Sequence, residues 1–192
     1  MRLPYVPNPP HFTDPTDQAI LERVQKRRGE RGLLELDRAL LHSPPVADGW
    51  NSFLGAIRTR TTIPASIRET AICRVAVLNK AWYEWEHHAP LLRECPGITE
   101  EIMQYIKNAP PAPRGGGGEA GVGYAGPLDE KHATVLAYTD QMTIGVAVED
   151  GVFGELKRLF EEREVVEITA TVAAYNCVSR FLVALDVGEK NA

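Results

Sequence analysis

Apolar residues recur along most of this chain at the three- and four-residue spacing of helices, and nowhere with the sustained alternation of strands. Between residues 17 and 31, Ile20, Leu21 and Val24 share one stripe among charged neighbours, with Asp14 or Thr16 placed to cap the helix. A second short helix is predicted over 33–41, stopped by Ser43-Pro44-Pro45, and a third over 46–60, with Trp50, Phe53, Leu54 and Ile57 on one face. Residues 65–78 are apolar on most sides, which predicts a central helix. Ser66 with Glu69 three positions later has the spacing of a capping box at its start. Asn79-Lys80 reads as a break, residues 82–93 as the next helix, and Cys95-Pro96-Gly97 as its stop. Thr99-Glu100-Glu101 opens a helix through Ile106. Further helices are predicted over 128–142, 150–160 and 165–185, giving about eight helices and no sheet, an all-α bundle.

Composition divides the chain. Five prolines in residues 1–16 make an extended arm that cannot build its own helix. Residues 17–192 read as a single all-α domain interrupted by a Pro/Gly-rich insert at 108–127. The stretches 62–92 and 162–185 both open on acidic and apolar residues and run into Asn79 and Asn176, which suggests a duplicated helical hairpin. With 192 residues and 44% hydrophobic content, the chain can bury a core without disulfides or metal. A net charge of -5 with scattered Lys and Arg excludes a nucleic-acid footprint. No apolar stretch approaches 18 residues and no apolar signal segment is seen, so a cytoplasmic protein with no membrane partner is expected. Cys73, Cys95 and Cys177 are widely spaced, without a CxxC pair, and are expected as reduced thiols. Cys73 and Cys177 lie in apolar runs, where a free cysteine behaves as a small hydrophobe.

The densest chemistry lies in Ala81-Trp82-Tyr83-Glu84-Trp85-Glu86-His87-His88. At about 100° per residue, Glu84 and His88 stand one turn apart on one helix face, and a carboxylate beside an imidazole makes a proton-transfer group suited to neutral pH. The plainer reading is a solvated Glu/His face that only supports the helix. Trp82, Tyr83 and Trp85, woven through the same turns, would wall off a small-molecule pocket. His87 faces about 100° away from His88, where a structural role is as natural as a substrate contact. Glu84, His87 and His88 are competent metal ligands, but adjacent histidines point apart, so one metal could use only one of them with Glu84, and no metal site is expected.

Arg68-Glu69, the run Ile72-Cys73-Arg74-Val75-Ala76, Asn79 and the aromatic-acid-histidine string together resemble the carboxymuconolactone decarboxylase-like family, which includes the alkyl hydroperoxidase D-like proteins. The resemblance covers residues 41–106 well and 128–187 in outline. In peroxidase members a glutamate precedes a CxxC pair, and a histidine follows four residues after the second cysteine. Those positions fall on Glu69, Ala81, Glu84 and His88 here, so sulfur is absent from both thiol positions and disulfide-based peroxidase activity is not expected. The resemblance implies a lyase without a cofactor, a decarboxylase or related isomerase or cyclase, acting on a small carboxylated lactone or polyketide-like molecule. His88 would be proton donor or base, Glu84 its orienting partner and Glu69 a second acid or water-positioning group. Trp82, Tyr83, Trp85 and His87 would contact substrate, Arg74 would clamp a carboxylate, and Trp50 would be either wall or plain core. A straight helix from Glu69 to His88 would separate them by about 28 Å, so the chain must fold back near Asn79-Lys80. The resemblance also implies homotrimers or hexamers, with the proline-rich arm free to clasp a neighbour. Two other readings stand beside this one: a peroxidase-branch antioxidant protein using a lone cysteine, and a non-catalytic oligomeric binding protein.

Overall fold

A computed structural model describes residues 1–112 and 126–191; the centre of the Pro/Gly-rich insert lies outside the described residues. Among them are nine α-helices, one 3-10 turn and no strand, one helix for each segment that the helical periodicity predicts. The chain gathers into two compact units, residues 1–60 with the chain from 182 onward, and residues 61–181.

The first unit holds α1 (Pro15–Arg28), a 3-10 turn (Gly29–Arg31), α2 (Glu35–Leu40) and α3 (Pro44–Thr59). Asp14 caps α1 by accepting from the Thr16 and Asp17 amides at 2.7 and 3.2 Å. Pro44 and Pro45 do not only stop the helix before them. They occupy the first turn of α3, where a missing N–H costs nothing. The proline-rich arm lies on its own chain. The Arg2 amide donates to the Leu185 carbonyl at 2.8 Å, Arg38 Nε to the Val6 carbonyl at 2.8 Å, His42 Nε2 to the Pro4 carbonyl at 2.7 Å, and the Gly188 amide to the Tyr5 hydroxyl at 2.8 Å. These bonds hold the arm within the first unit.

The second unit is built on α4 (Ala65–Leu78), which packs against α5 (Trp82–Arg93), α6 (Glu100–Asn108) and α7 (Glu130–Gly145). Residues 69–76 of α4 are all buried, so the helix lacking a polar face is the central one. No capping box opens it: Pro64 is the N-cap residue, Ser66 lies inside the helix, and Glu69 turns inward. Its C-terminus is a Schellman turn, with the Ala81 amide bonded to the Ala76 carbonyl at 2.8 Å and the Lys80 amide to the Val77 carbonyl at 3.1 Å. Lys80 takes the left-handed position (φ 54°) that glycine usually fills. That turn reverses the chain and lays α5 back along α4.

α8 (Asp150–Leu159) packs on α7, and α9 (Glu162–Leu185) closes the unit, its last turn from Leu182 belonging with the first unit. α9 corrects the reading that no stretch is long and apolar enough for a membrane. It has an 18-residue window of mean hydropathy 1.4. Of that window 44% is buried inside the protein, and Asn176 within it bonds Asn79 and Thr143 at 3.1 and 3.0 Å, contacts of a core helix. The asparagines that end the two similar apolar runs therefore meet side chain to side chain.

Candidate functional site

The hairpin of α4, Schellman turn and α5 brings Glu69 and His88 together. His88 Nδ1 and Glu69 Oε2 lie 2.7 Å apart, and both residues are buried, at 6% and 3% exposure. Arg68, half-shielded, donates from Nε to the other carboxylate oxygen, Oε1, at 3.2 Å. Burial works to raise the Glu69 carboxyl, but the hydrogen bond and charge of His88, with Arg68 behind them, outweigh it and hold the group below the usual glutamate value. An ionised carboxylate only accepts, so Nδ1 carries the proton and the ring exchanges its other proton at Nε2. The imidazole also meets the ring of Tyr175 on α9 edge-on, with centroids 5.0 Å apart. The carboxylate that meets His88 is thus that of Glu69, where the sequence reading placed Glu84 against the ring.

Glu84 is buried at 2% exposure on the same face of α5, yet neither carboxyl oxygen has a hydrogen-bond partner. Burial pushes its carboxyl well above the usual range, which favours the neutral form. The two acids are thus shifted in opposite directions, Glu69 down and Glu84 up. Cys73, one turn along α4 from Glu69, is fully buried, and burial followed by the charges of Glu69 and Glu84 pushes its thiol well up, away from the thiolate. Cys95 is partly exposed, and its thiol is also raised, mainly by burial. Cys177 is exposed rather than packed, because α9 is apolar on the side that meets solvent as well as on the side that does not.

Arg74 cannot act as the expected carboxylate clamp. Its guanidinium is taken by Asp140 on α7, through Nε at 2.5 Å and Nη2 at 3.0 Å, while Nη1 donates to the Ile106 carbonyl at 2.8 Å. Asp140 also accepts from the Ala112 amide at 2.8 Å. The pair is a buried pin joining α4, α6 and α7.

The aromatic residues do not form one wall. Trp85 packs against the cluster of Cys73, Ala89, Leu92, Met103, Ile106 and Leu136, with Lys107 over its ring at 5.5 Å. Tyr83 is buried and stacks on His87, with ring centroids 4.2 Å apart, and Trp82 is half-buried. His87 is exposed, its Nδ1 donating to the Tyr83 carbonyl at 2.8 Å, so it belongs to the helix surface. Trp50 lies in the first unit, beside a cleft with Asp37, Arg27 and Asn51. Sequence reasoning gave no role to Tyr175 beyond its place at the end of the second apolar run. Among the described residues, no group of three or more histidine, cysteine, aspartate or glutamate side chains converges as a metal site requires.

No protein-family model matches the sequence, and no curated protein matches it. Several solved structures are similar in fold, among them these two. One is an uncharacterized peroxidase-related protein from Silicibacter sp. TM1040, 16% identical, with a TM-score of 0.69 over 98% of this chain and 95% of that one. The other is a protein of unknown function from Agrobacterium tumefaciens, described as a candidate antioxidant-defence protein AhpD, 16% identical, with a TM-score of 0.60 over 76% of this chain and 90% of that one. Helix count, order and these likenesses agree: the chain has the all-α fold of the alkyl hydroperoxidase D-like proteins.

Proposed function

We propose that this protein is an acid–base enzyme, working without a cofactor, that decarboxylates or isomerises a small carboxylated, unsaturated lactone or polyketide-like molecule. The observation that carries the reading is the buried Glu69–His88 contact of 2.7 Å with Arg68 behind it. A carboxylate on Nδ1 fixes the ring's orientation and stabilises the imidazolium, leaving Nε2 to deliver or remove a proton. In a nearly dry site such a charge acts with little screening from water. Loss of carbon dioxide from a conjugated carboxylate leaves a dienolate that needs protonation on carbon, and a histidine held in this way suits that step. Homotrimers or hexamers belong to the same proposal, and sedimentation that finds only monomers counts against them.

The test is a screen of carboxylated lactones and aromatic polyketide acids, followed by substrate loss and carbon dioxide release. Turnover that falls at least a hundredfold in His88→Gln, with an unchanged circular dichroism spectrum, supports the reading. Equal turnover in the variant overturns it. Peroxide reduction is a second reading, favoured by the descriptions of the two structural neighbours. It would have to use a thiol such as Cys73, which burial holds away from its reactive thiolate. Peroxide consumption that vanishes in Cys73→Ser would establish it.

A further inference from the structure

The buried acids of the second unit differ in one respect. Glu69 is met by His88 and Arg68, and Asp140 by Arg74 and the Ala112 amide. Glu84 alone among these three has two buried oxygens and no partner for either. Leaving a buried polar group unmet is costly, and a buried carboxylate without a partner costs far more. The spacing of one turn sets the Cβ atoms of Glu84 and His88 about 5–6 Å apart on one face of α5, so the unmet group lies beside the imidazole. Cys73 on α4 lies within electrostatic reach of both glutamates, and His88 stands one turn along the same helix as Glu84. A negative charge on Glu84 would have no hydrogen-bond donor among the described residues to meet it.

We propose that Glu84 is the anion-recognising group of the site: a neutral carboxyl whose O–H donates to the substrate oxygen on which negative charge collects. This rests on the acid–base reading above and adds the substrate class, a small anion whose carboxylate is conjugated to a ring carbonyl. The neutral acid takes the place that Arg74, bound to Asp140, does not fill. In the reaction the bond to the carboxylate carbon breaks, its electron pair runs through the unsaturated system to the carbonyl oxygen, and carbon dioxide leaves. The Glu84 O–H hydrogen-bonds that dienolate oxygen and keeps its proton. The imidazolium of His88 then protonates carbon and regains a proton from water, so one proton is consumed per turnover and nothing is oxidised or reduced. A neutral donor suits this step better than a cation, because it holds the developing oxyanion without binding the initial carboxylate as an ion pair that must be broken.

The experiment uses the full chain and coumalate (2-oxopyran-5-carboxylate), a small unsaturated lactone whose carboxylate is conjugated to its ring carbonyl, as probe. Infrared difference spectra of wild type against Glu84→Gln at pH 7 should show the carbonyl stretch of a protonated carboxyl in wild type only, and saturating coumalate should shift it. The probe's affinity should fall about tenfold or more in Glu84→Leu, and largely survive in Glu84→Gln, which keeps an N–H donor. If Glu84→Leu does not fold, the band and the Gln variant decide the matter. No protonated band at pH 7 overturns the inference. So do a band indifferent to the probe, equal affinity in the Leu variant, or no binding to wild type at millimolar probe. None of these readouts depends on turnover. Unchanged catalysis in His88→Gln would therefore defeat the acid–base reading while leaving the Glu84 result legible in its own right.

Discussion

Arg74 and Asp140 give the sharpest test of what the core of the second unit requires. Both side chains are essentially without exposure, and each is satisfied: three donors of Arg74 reach Asp140 and the Ile106 carbonyl, and Asp140 also accepts from the Ala112 amide. Asp140→Ala leaves a guanidinium buried without its counter-charge and strands the Ala112 amide. Breaking one side of such a pair costs about 3–5 kcal/mol. For a chain of this length each kcal/mol moves the melting temperature by about 2–4 °C, so the variant should melt about 6–20 °C below wild type. Thermal unfolding followed by circular dichroism at neutral pH measures it. The apolar double replacement Arg74→Met with Asp140→Leu should recover most of the loss, because it removes both charges and the cost of burying them. If instead Asp140→Ala melts within about 2 °C of wild type, the pair is not the pin inferred here, and Arg74 returns as a candidate for binding substrate.

The Glu69 carboxyl is held below its unfolded value, so its contribution to stability is present above that value and is lost as pH falls through the folded one. Denaturant titrations from pH 6 downward should show wild type losing stability toward about pH 4 and below more steeply than Glu69→Gln. In native protein a thiol-specific reagent should label Cys177 at once and Cys73 only on unfolding; prompt labelling of Cys73 would contradict its burial. Lys80→Gly, relieving a left-handed residue in the turn that joins α4 to α5, should raise stability by up to about 1 kcal/mol in urea unfolding, with a loss ruling out strain at that turn.

Helix positions were legible because burial imposes its period on the chain, and α4 was legible as central because a helix without a polar face has to be covered on every side. The fold-back at Asn79-Lys80 followed from the need to bring Glu69 and His88 together, and the Schellman turn there supplies it. Partners across helices were not legible. Helical spacing ranks neighbours on one helix, and it favoured Glu84 for His88. Side chains at i and i+4 point the same way, however, here toward α4, and the carboxylate that meets the imidazole comes from the facing helix.

One rule would have found both pairings. Glu69 and Arg74 are charges in a run of α4 that is buried on all sides, and five residues apart they face directions about 140° different, so neither can neutralise the other. Arg68 at the edge of that run meets one oxygen of Glu69, and the remaining partners come from other helices, His88 of α5 for Glu69 and Asp140 of α7 for Arg74. Charges that an apolar helix cannot hide act as registration points: they admit the neighbouring helices at one height and rotation only, where hydrophobic packing alone would tolerate several. Glu84 escapes the rule, since it is a buried acid on α5 with no hydrogen-bond partner among the described residues. Among the described residues Glu69 and Asp140 are fully satisfied while Glu84 has no hydrogen-bond partner, and an acid left in that state adds nothing to stability, which is why its infrared band, rather than a melting temperature, is the measurement that reads its role.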